Sequence, residues 1–263
     1  IFMDKLEFEL TEAQKKVVQE IKNDLEKNYP MQRLLQGDVG SGKTVVATIA
    51  ALQVIENGSQ VAFMAPTEIL AEQHYRKLTG WLTPLNIKVA WLTGSQSKKD
   101  REISLNMTQS GEANIVVGTH ALFQDHVIFK KLGLSIIDEQ HRFGVEQRLA
   151  LRKKGELNKA IEPHQLMMSA TPIPRTLSMS YFADLDVSVI DELPKGREAI
   201  VTKLFSEDRR NEILKRVYEV CHAGAQVYWV CPLIEESEVL QLQTAEETYL
   251  NMQSHFKDLT VGL

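Results

Sequence analysis

Cysteine is scarce in this chain of 263 residues, which has two, Cys221 and Cys231. They flank one strand-like run. That is no disulfide framework, and it suits a reducing, cytoplasmic compartment. No stretch approaches the ~18 uncharged apolar residues of a membrane span, so no membrane partner is expected. Positive charge is not in surplus either: 30 lysines and arginines face 35 aspartates and glutamates, for a formal net charge of −5. The net field would repel a nucleic acid, so any such contact must rest on local groups. The opening Ile1-Phe2-Met3-Asp4-Lys5 lacks both a leading methionine and the charged-then-apolar layout of a signal peptide, and reads as an internal start. No solenoid repeat recurs. With 43% hydrophobic and 25% charged residues, collagen-like, disordered and low-complexity classes are excluded.

What is present is alternation. Apolar runs of strand length, Arg33–Gln36, Val61–Ala65, Val89–Leu92, Ile115–Val117, Leu134–Asp138 and Leu166–Ser169, are separated by helix-length segments. Among these, Thr44–Glu56 keeps Val45, Val46, Ile49 and Leu52 broadly on one side and stops at Asn57-Gly58; Glu68–Leu78 and Ser97–Gln109 read similarly. This predicts an α/β fold with a mostly parallel sheet and helices on both faces. Near Asp191-Glu192-Leu193-Pro194-Lys195-Gly196-Arg197 the pattern breaks as at a linker. It resumes with strand Ala199–Phe205, helix Asp208–Cys221, strand Gln226–Cys231 and helix Val239–Phe256. The expected division is a first domain over 1–192, a linker over 193–198, and over 199–263 a second domain too short to close a doubly wound sheet.

Gly37-Asp38-Val39-Gly40-Ser41-Gly42-Lys43-Thr44 fits the phosphate-loop pattern G-x-x-x-x-G-K-[ST], and it sits between an apolar strand and a helix as that pattern requires. Its glycines let backbone N–H groups turn toward phosphate, and the helix N-terminus adds positive potential. Lys43 then reaches the β- and γ-phosphates, and Thr44 offers a hydroxyl to Mg²⁺. A second strand, Leu134-Ser135-Ile136-Ile137, runs into Asp138-Glu139-Gln140-His141, which brings two carboxylates to the carboxyl edge of the sheet. Successive strand residues point opposite ways, so the pair divides its work. Asp138 goes to the metal and Glu139 to the attacking water.

With Ala65-Pro66-Thr67-Glu68, Gly118-Thr119-His120 and Ser169-Ala170-Thr171-Pro172 added in order, the set resembles motifs I, Ia, Ib, II and III of superfamily 2 helicases. Gln36–Thr44, Asp138-Glu139-Gln140-His141-Arg142-Phe143-Gly144-Val145 and Thr171-Pro172-Ile173-Pro174-Arg175-Thr176 bring it nearest the RecG-type family of ATP-dependent DNA helicases, over essentially the whole chain. Transcription-repair coupling translocases share the proline-rich stretch but usually carry glutamate where Gln140 stands.

The resemblance implies a RecA-like P-loop fold, ATP and Mg²⁺ as ligands, and branched DNA (forks and Holliday junctions) as the partner of a complete protein. It also implies a wedge domain and the rest of a second motor lobe elsewhere in that protein. Motifs IV–VI are not found here, so the chain by itself is expected to turn over little. The alternatives are a coupling-translocase lobe or a nucleotide-binding module without turnover. For Gln14 the resemblance implies an adenine contact, while its residue type alone equally allows a helix-surface glutamine. Pro66, Thr67, Glu68, Gly118, Thr119 and His120 would face nucleic-acid phosphates, and Gln140, His141, Ser169 and Thr171 would couple nucleotide state to movement. No second histidine or cysteine stands at ligand spacing from His141, which argues against a metal there. Met167, Met168, Trp81 and Trp91 read as packing.

Overall fold

The computed structural model describes residues 2–3, 6, 8–139, 162–171, 185–192, 200–231 and 245–263. Gln140, His141, the stretch after Thr171, the 193–198 linker and the start of the helix expected from Val239 lie outside these. The chain divides into two compact units, Ile1–Arg197 and Glu198–Leu263.

The first unit is built on seven parallel strands: β1 (Gln32–Gly37), β2 (Gln60–Met64), β3 (Val89–Leu92), β4 (Ile115–Gly118), β5 (Leu132–Ile137), β6 (His164–Ser169) and β7 (Asp186–Ile190). They lie in the order β3-β4-β2-β5-β6-β1-β7. Among the described residues, helices α1 (Glu12–Leu25), α2 (Lys43–Glu56), α3 (Glu68–Leu82) and α4 (Lys98–Ser110) accompany the sheet. Alternate strand residues enter two separate cores. Leu35, Val61, Phe63, Ile115, Val117, Leu134, Ile136, Leu166 and Met168 pack with Val17 and Ile21 of α1, the apolar residues of α2, and Leu78 and Leu82 of α3. On the other face Leu34, Ala62, Met64, Val116, Ile137 and Met167 join Leu122, Val127 and Phe129. Strands buried on both faces read as continuous apolar runs, which is why they were visible in the sequence. Each fully buried large side chain contributes about 1.5–3 kcal/mol.

A buried ion pair binds the edge of this sheet to α1. Arg33 of β1 donates through Nε to Asp24 Oδ2 at 2.6 Å and through Nη1 to Ser188 Oγ of β7 at 2.8 Å. Burial alone would raise the Asp24 pKa, but hydrogen bonds from Arg33 and Lys27 outweigh it and hold the carboxyl below its ordinary value.

Three elements differ from the sequence reading. Helix α3 runs through Gly80 to Leu82 instead of stopping at Leu78. Full burial of Leu82 and the edge contact of Trp81 with Phe2 at 6.0 Å outweigh the ~1 kcal/mol that an interior glycine costs. Strand β7 was not predicted. Among the described residues it pairs only with β1, and Val187 and Val189 remain 43% and 51% exposed, so it carries the short alternating pattern of an edge instead of an apolar run. In the second unit the strands expected at Ala199–Phe205 and Gln226–Cys231 are corrected: residues 200–206 and 225–231 form no strand. A strand is stable only when a neighbour satisfies its backbone, and among the described residues of this unit none does. Leu204, Tyr228 and Val230 are 99%, 90% and 87% exposed. What orders this unit is helix α5 (Arg210–His222) and helix α6 (Ala245–His255). Tyr218 and His222 of α5 hold Asp258 Oδ2 at 2.7 and 2.9 Å, and Tyr218 stacks on Phe256.

Candidate nucleotide site

All the strands being parallel, their carboxyl ends share one edge, where ligands bind in open α/β sheets. β1 delivers the phosphate loop there, β5 delivers Asp138 and Glu139, and β6 lies between them, with Gln36 opposite Ser169 and Ile137 opposite Met167.

The loop takes its shape from local backbone needs. Gly40 and Gly42 adopt φ of 79° and 93°, which other residues reach only with strain. A side chain at Gly42 would also overlap the Gln14 amide, and one at Gly37 would press within 2.5 Å of Ser41 Oγ. Thr11, Thr67 and Ser97 cap α1, α3 and α4 with side-chain oxygens, whereas α2 begins at Gly42 with no side-chain cap. Its positive end thus faces the loop. The buried Ser41 Oγ has no protein partner.

Lys43 folds over the loop, donating from Nζ to the carbonyls of Gly37 at 2.6 Å and Asp38 at 3.0 Å. Burial lowers its pKa from the usual lysine value, against the opposing pull of Asp138, Glu139 and Asp38. The ammonium therefore lies within electrostatic reach of both carboxylates of the acidic pair.

β5 ends at Ile137, so Asp138 and Glu139 escape the strand alternation that would have separated them. Asp138 is anchored by its N–H to Met64 O at 2.8 Å, and its Oδ1 accepts the Glu139 N–H at 3.1 Å. Glu139 sits at φ 49°. Ser169 is buried, and its hydroxyl meets Thr171 Oγ1 at 3.0 Å and accepts the Thr171 N–H at 3.3 Å, forming a tight turn between the loop and the acidic pair.

Gln14 is buried and both ends of its amide are engaged. Oε1 accepts from Thr11 N–H at 3.0 Å, and Nε2 donates to Ser41 O at 2.7 Å. It is therefore a brace for the loop and not a surface glutamine. Glu192 extends the brace, its Oε2 accepting the Ala13 N–H at 3.0 Å. That backbone bond, with the Thr11 hydroxyl, holds the Glu192 pKa below its ordinary value.

Along the same edge Ala65 N–H donates to Gly118 O at 3.0 Å, joining the Pro66-Thr67-Glu68 and Gly118-Thr119-His120 segments. Of the two hydroxyls on this edge, Thr67 Oγ1 of half-buried Thr67 accepts the Leu70 N–H as a helix cap, and Thr119 Oγ1 is buried. Glu68 accepts from Ser95 N–H at 3.2 Å and Ser95 Oγ at 2.6 Å, positioning the loop after β3, while His120 is exposed. Among the described residues no cluster of three or more His, Cys, Asp or Glu forms a closed metal cage. The oxygen donors Thr44 and Asp138 are instead few, as suits Mg²⁺ shared with phosphate oxygens. Sequence reasoning missed Glu192, Ser95 and His74, which meets Asp138 Oδ2 at 2.6 Å. Only His74 left a signal, as a polar residue in the buried 71-74-78-82 register of α3.

Comparison with known proteins agrees with this geometry. Residues 11–180 match the DEAD/DEAH box helicase family. The chain is 56% identical over its whole length to the ATP-dependent DNA helicase RecG of Haemophilus influenzae, and covers 38% of that protein. It is 48% identical, again over its whole length, to RecG of Thermotoga maritima, covering 33% of it. The structure of RecG bound to a three-way DNA junction superposes with a TM-score of 0.79 at 43% identity, over 97% of this chain and 32% of that one. The DUF1998 helicase MrfA bound to DNA shares the fold at 19% identity, with a TM-score of 0.65 over 86% of this chain and 34% of that one. The chain thus spans little more than a third of the length of these relatives. Both cysteines are free thiols, and among the described residues no helix is long and apolar enough to cross a membrane.

Proposed function

The chain belongs to the DEAD/DEAH box helicase family, and we propose that it is the nucleotide-binding motor lobe, with the start of a second lobe from residue 199, of a cytoplasmic RecG-type helicase. The complete protein would hydrolyse ATP to remodel branched DNA such as stalled forks and Holliday junctions. The observation that carries this reading is that β1 and β5, the two strands flanking β6, deliver the phosphate loop with its uncapped helix N-terminus and the Asp138-Glu139 pair to the same edge of the sheet.

The residues divide the chemistry as follows. Backbone N–H groups of Gly37, Asp38, Val39, Gly40, Ser41 and Gly42 surround the phosphates, and Lys43 exchanges its two carbonyl partners for phosphate oxygens. Thr44 and Asp138 would hold Mg²⁺, which when bound neutralises charge on the phosphates. Glu139 orients the attacking water and accepts its proton. Gln14 braces the loop and, as the family resemblance implies, would read the adenine edge. Ser169 and Thr171, with Gln140 and His141, relay nucleotide state. Pro66, Thr67, Glu68, Gly118, Thr119 and His120 line the edge offered to nucleic acid, mainly through backbone groups and the exposed His120, which positions a strand without reading bases.

Calorimetric titration of the chain with ADP and Mg²⁺ tests the nucleotide half of this reading. Binding is expected, and Lys43→Ala should abolish it. Unchanged affinity in that variant overturns the assignment.

A further inference from the structure

Helix α3 turns a histidine toward the nucleotide site. Ala71, Leu78 and Leu82 are its fully buried residues, and His74 lies on that same face, with its side chain only 12% exposed. A leucine there would add apolar burial; an imidazole costs burial unless it finds a partner. It finds two. Its ring packs on Phe63 of β2 at 4.7 Å between centroids, and its Nε2 lies 2.6 Å from Asp138 Oδ2. A carboxylate carries no proton to give, so the imidazole N–H is the donor. Asp138 Oδ1 already accepts the Glu139 N–H, so each carboxylate oxygen has one protein donor fixing its direction. These two donors fix the direction of the carboxylate, and each oxygen keeps a further lone pair for an incoming cation.

We infer that His74 is a positioning residue that aims Asp138 at the metal accompanying the nucleotide. The inference rests on the nucleotide-site reading above and goes beyond it, because the family motifs named there end at Glu68 and resume at Gly118. A ligating carboxylate is itself held by hydrogen bonds, and loss of such an outer partner typically lowers metal affinity about 10–100-fold. The Phe63 ring packs against the imidazole at a tilt of 45°, so His74 is held by this contact and by Asp138 before the metal arrives.

The test is a fluorescent-ADP titration of the chain at increasing Mg²⁺. Its readout is the Mg²⁺ concentration that gives half of the metal-dependent gain in nucleotide affinity. His74→Phe keeps the ring packing on Phe63 and removes the donor, and should raise that concentration about tenfold. Nucleotide binding in EDTA and the melting temperature should stay close to those of the parent chain. His74→Gln restores an N–H at nearly the same reach and should recover most of the loss. Equal Mg²⁺ dependence in the parent chain and His74→Phe overturns the inference, and so does a Gln variant no better than Phe. A parent chain that binds ADP with no Mg²⁺ dependence overturns the metal-site reading itself, so the two failures are distinguishable.

Discussion

Glu139 holds a backbone conformation, φ 49°, that costs a non-glycine residue on the order of 1–3 kcal/mol. It follows the strand directly and lets two consecutive carboxylates serve one site. Glu139→Gln keeps this backbone and the Asp138 oxygens while removing the proton acceptor. In the intact protein steady-state ATP hydrolysis should fall by about 10²–10⁴-fold with nucleotide binding retained. Hydrolysis near the parental rate would show that another group activates the water. Gln14 poses a separate residue-scale question, since its amide serves both Thr11 and Ser41. Gln14→Ala strands a buried donor and acceptor, at a cost of about 1–3 kcal/mol in stability. If the brace is its whole function, calorimetry should show ADP and GDP affinity falling together. A loss confined to ADP would establish adenine reading as its main role.

At the scale of elements, α1 is held to the sheet at both ends. Its N-terminus meets Glu192 just past β7, and near its C-terminal end Asp24 grips Arg33, whose side chain is 10% exposed. Asp24 is the nearest of three carboxylates around Arg33, with Glu20 and Asp186 at 3.6 and 3.7 Å, so Asp24→Asn removes the shortest pair without stranding the guanidinium and should destabilise the first unit by about 1–3 kcal/mol in urea unfolding at neutral pH. The pH dependence has a definite sign. The Asp24 pKa is lowered in the folded state, so its contribution is present above the unfolded value near 3.8 and is lost as pH falls through the lower folded value. The stability gap between the parent chain and Asp24→Asn should therefore be constant above about pH 5 and narrow below pH 4. A gap that persists unchanged at pH 3 would mean that the ion pair is not its source.

On the scale of the whole molecule, two units of different character share one chain. The first has two closed cores, whereas the second leaves Ile200, Val201, Leu204, Tyr228 and Val230 between 74% and 99% exposed. Exposed apolar surface of this kind promotes association. Light scattering of the 263-residue chain should show self-association that rises with concentration and vanishes when residues 200–263 are removed. A strictly monomeric chain would refute this. Where a facing arginine stabilises phosphoryl transfer, as in GTPases, it contributes on the order of 10³–10⁵ in rate; we propose that the complete protein draws on such a group outside the first unit. The chain is accordingly expected to bind nucleotide yet show little ATP hydrolysis stimulated by a three-way junction. Stimulation matching that of an intact relative would show that the residues of this chain are sufficient.

What the sequence alone determined is what depends on neighbours along the chain. The loop over Gly37–Thr44 is legible because glycines, lysine and hydroxyl act within one turn of backbone, and six strands are legible because burial on both faces leaves unbroken apolar runs. The tertiary structure decided whatever depends on partners far apart. It brought His74 to Asp138 across 64 positions and Ala13 to Glu192 across 179, and it buried the Thr119 hydroxyl. It also admitted Asp186–Ile190 as an edge strand beside β1 while leaving the more apolar run 226–231 unpaired among the described residues. An apolar run specifies that a segment is fit to be a strand. Whether it becomes one is decided by a neighbouring backbone with unfilled hydrogen bonds, and that neighbour is set by the packing of the whole domain.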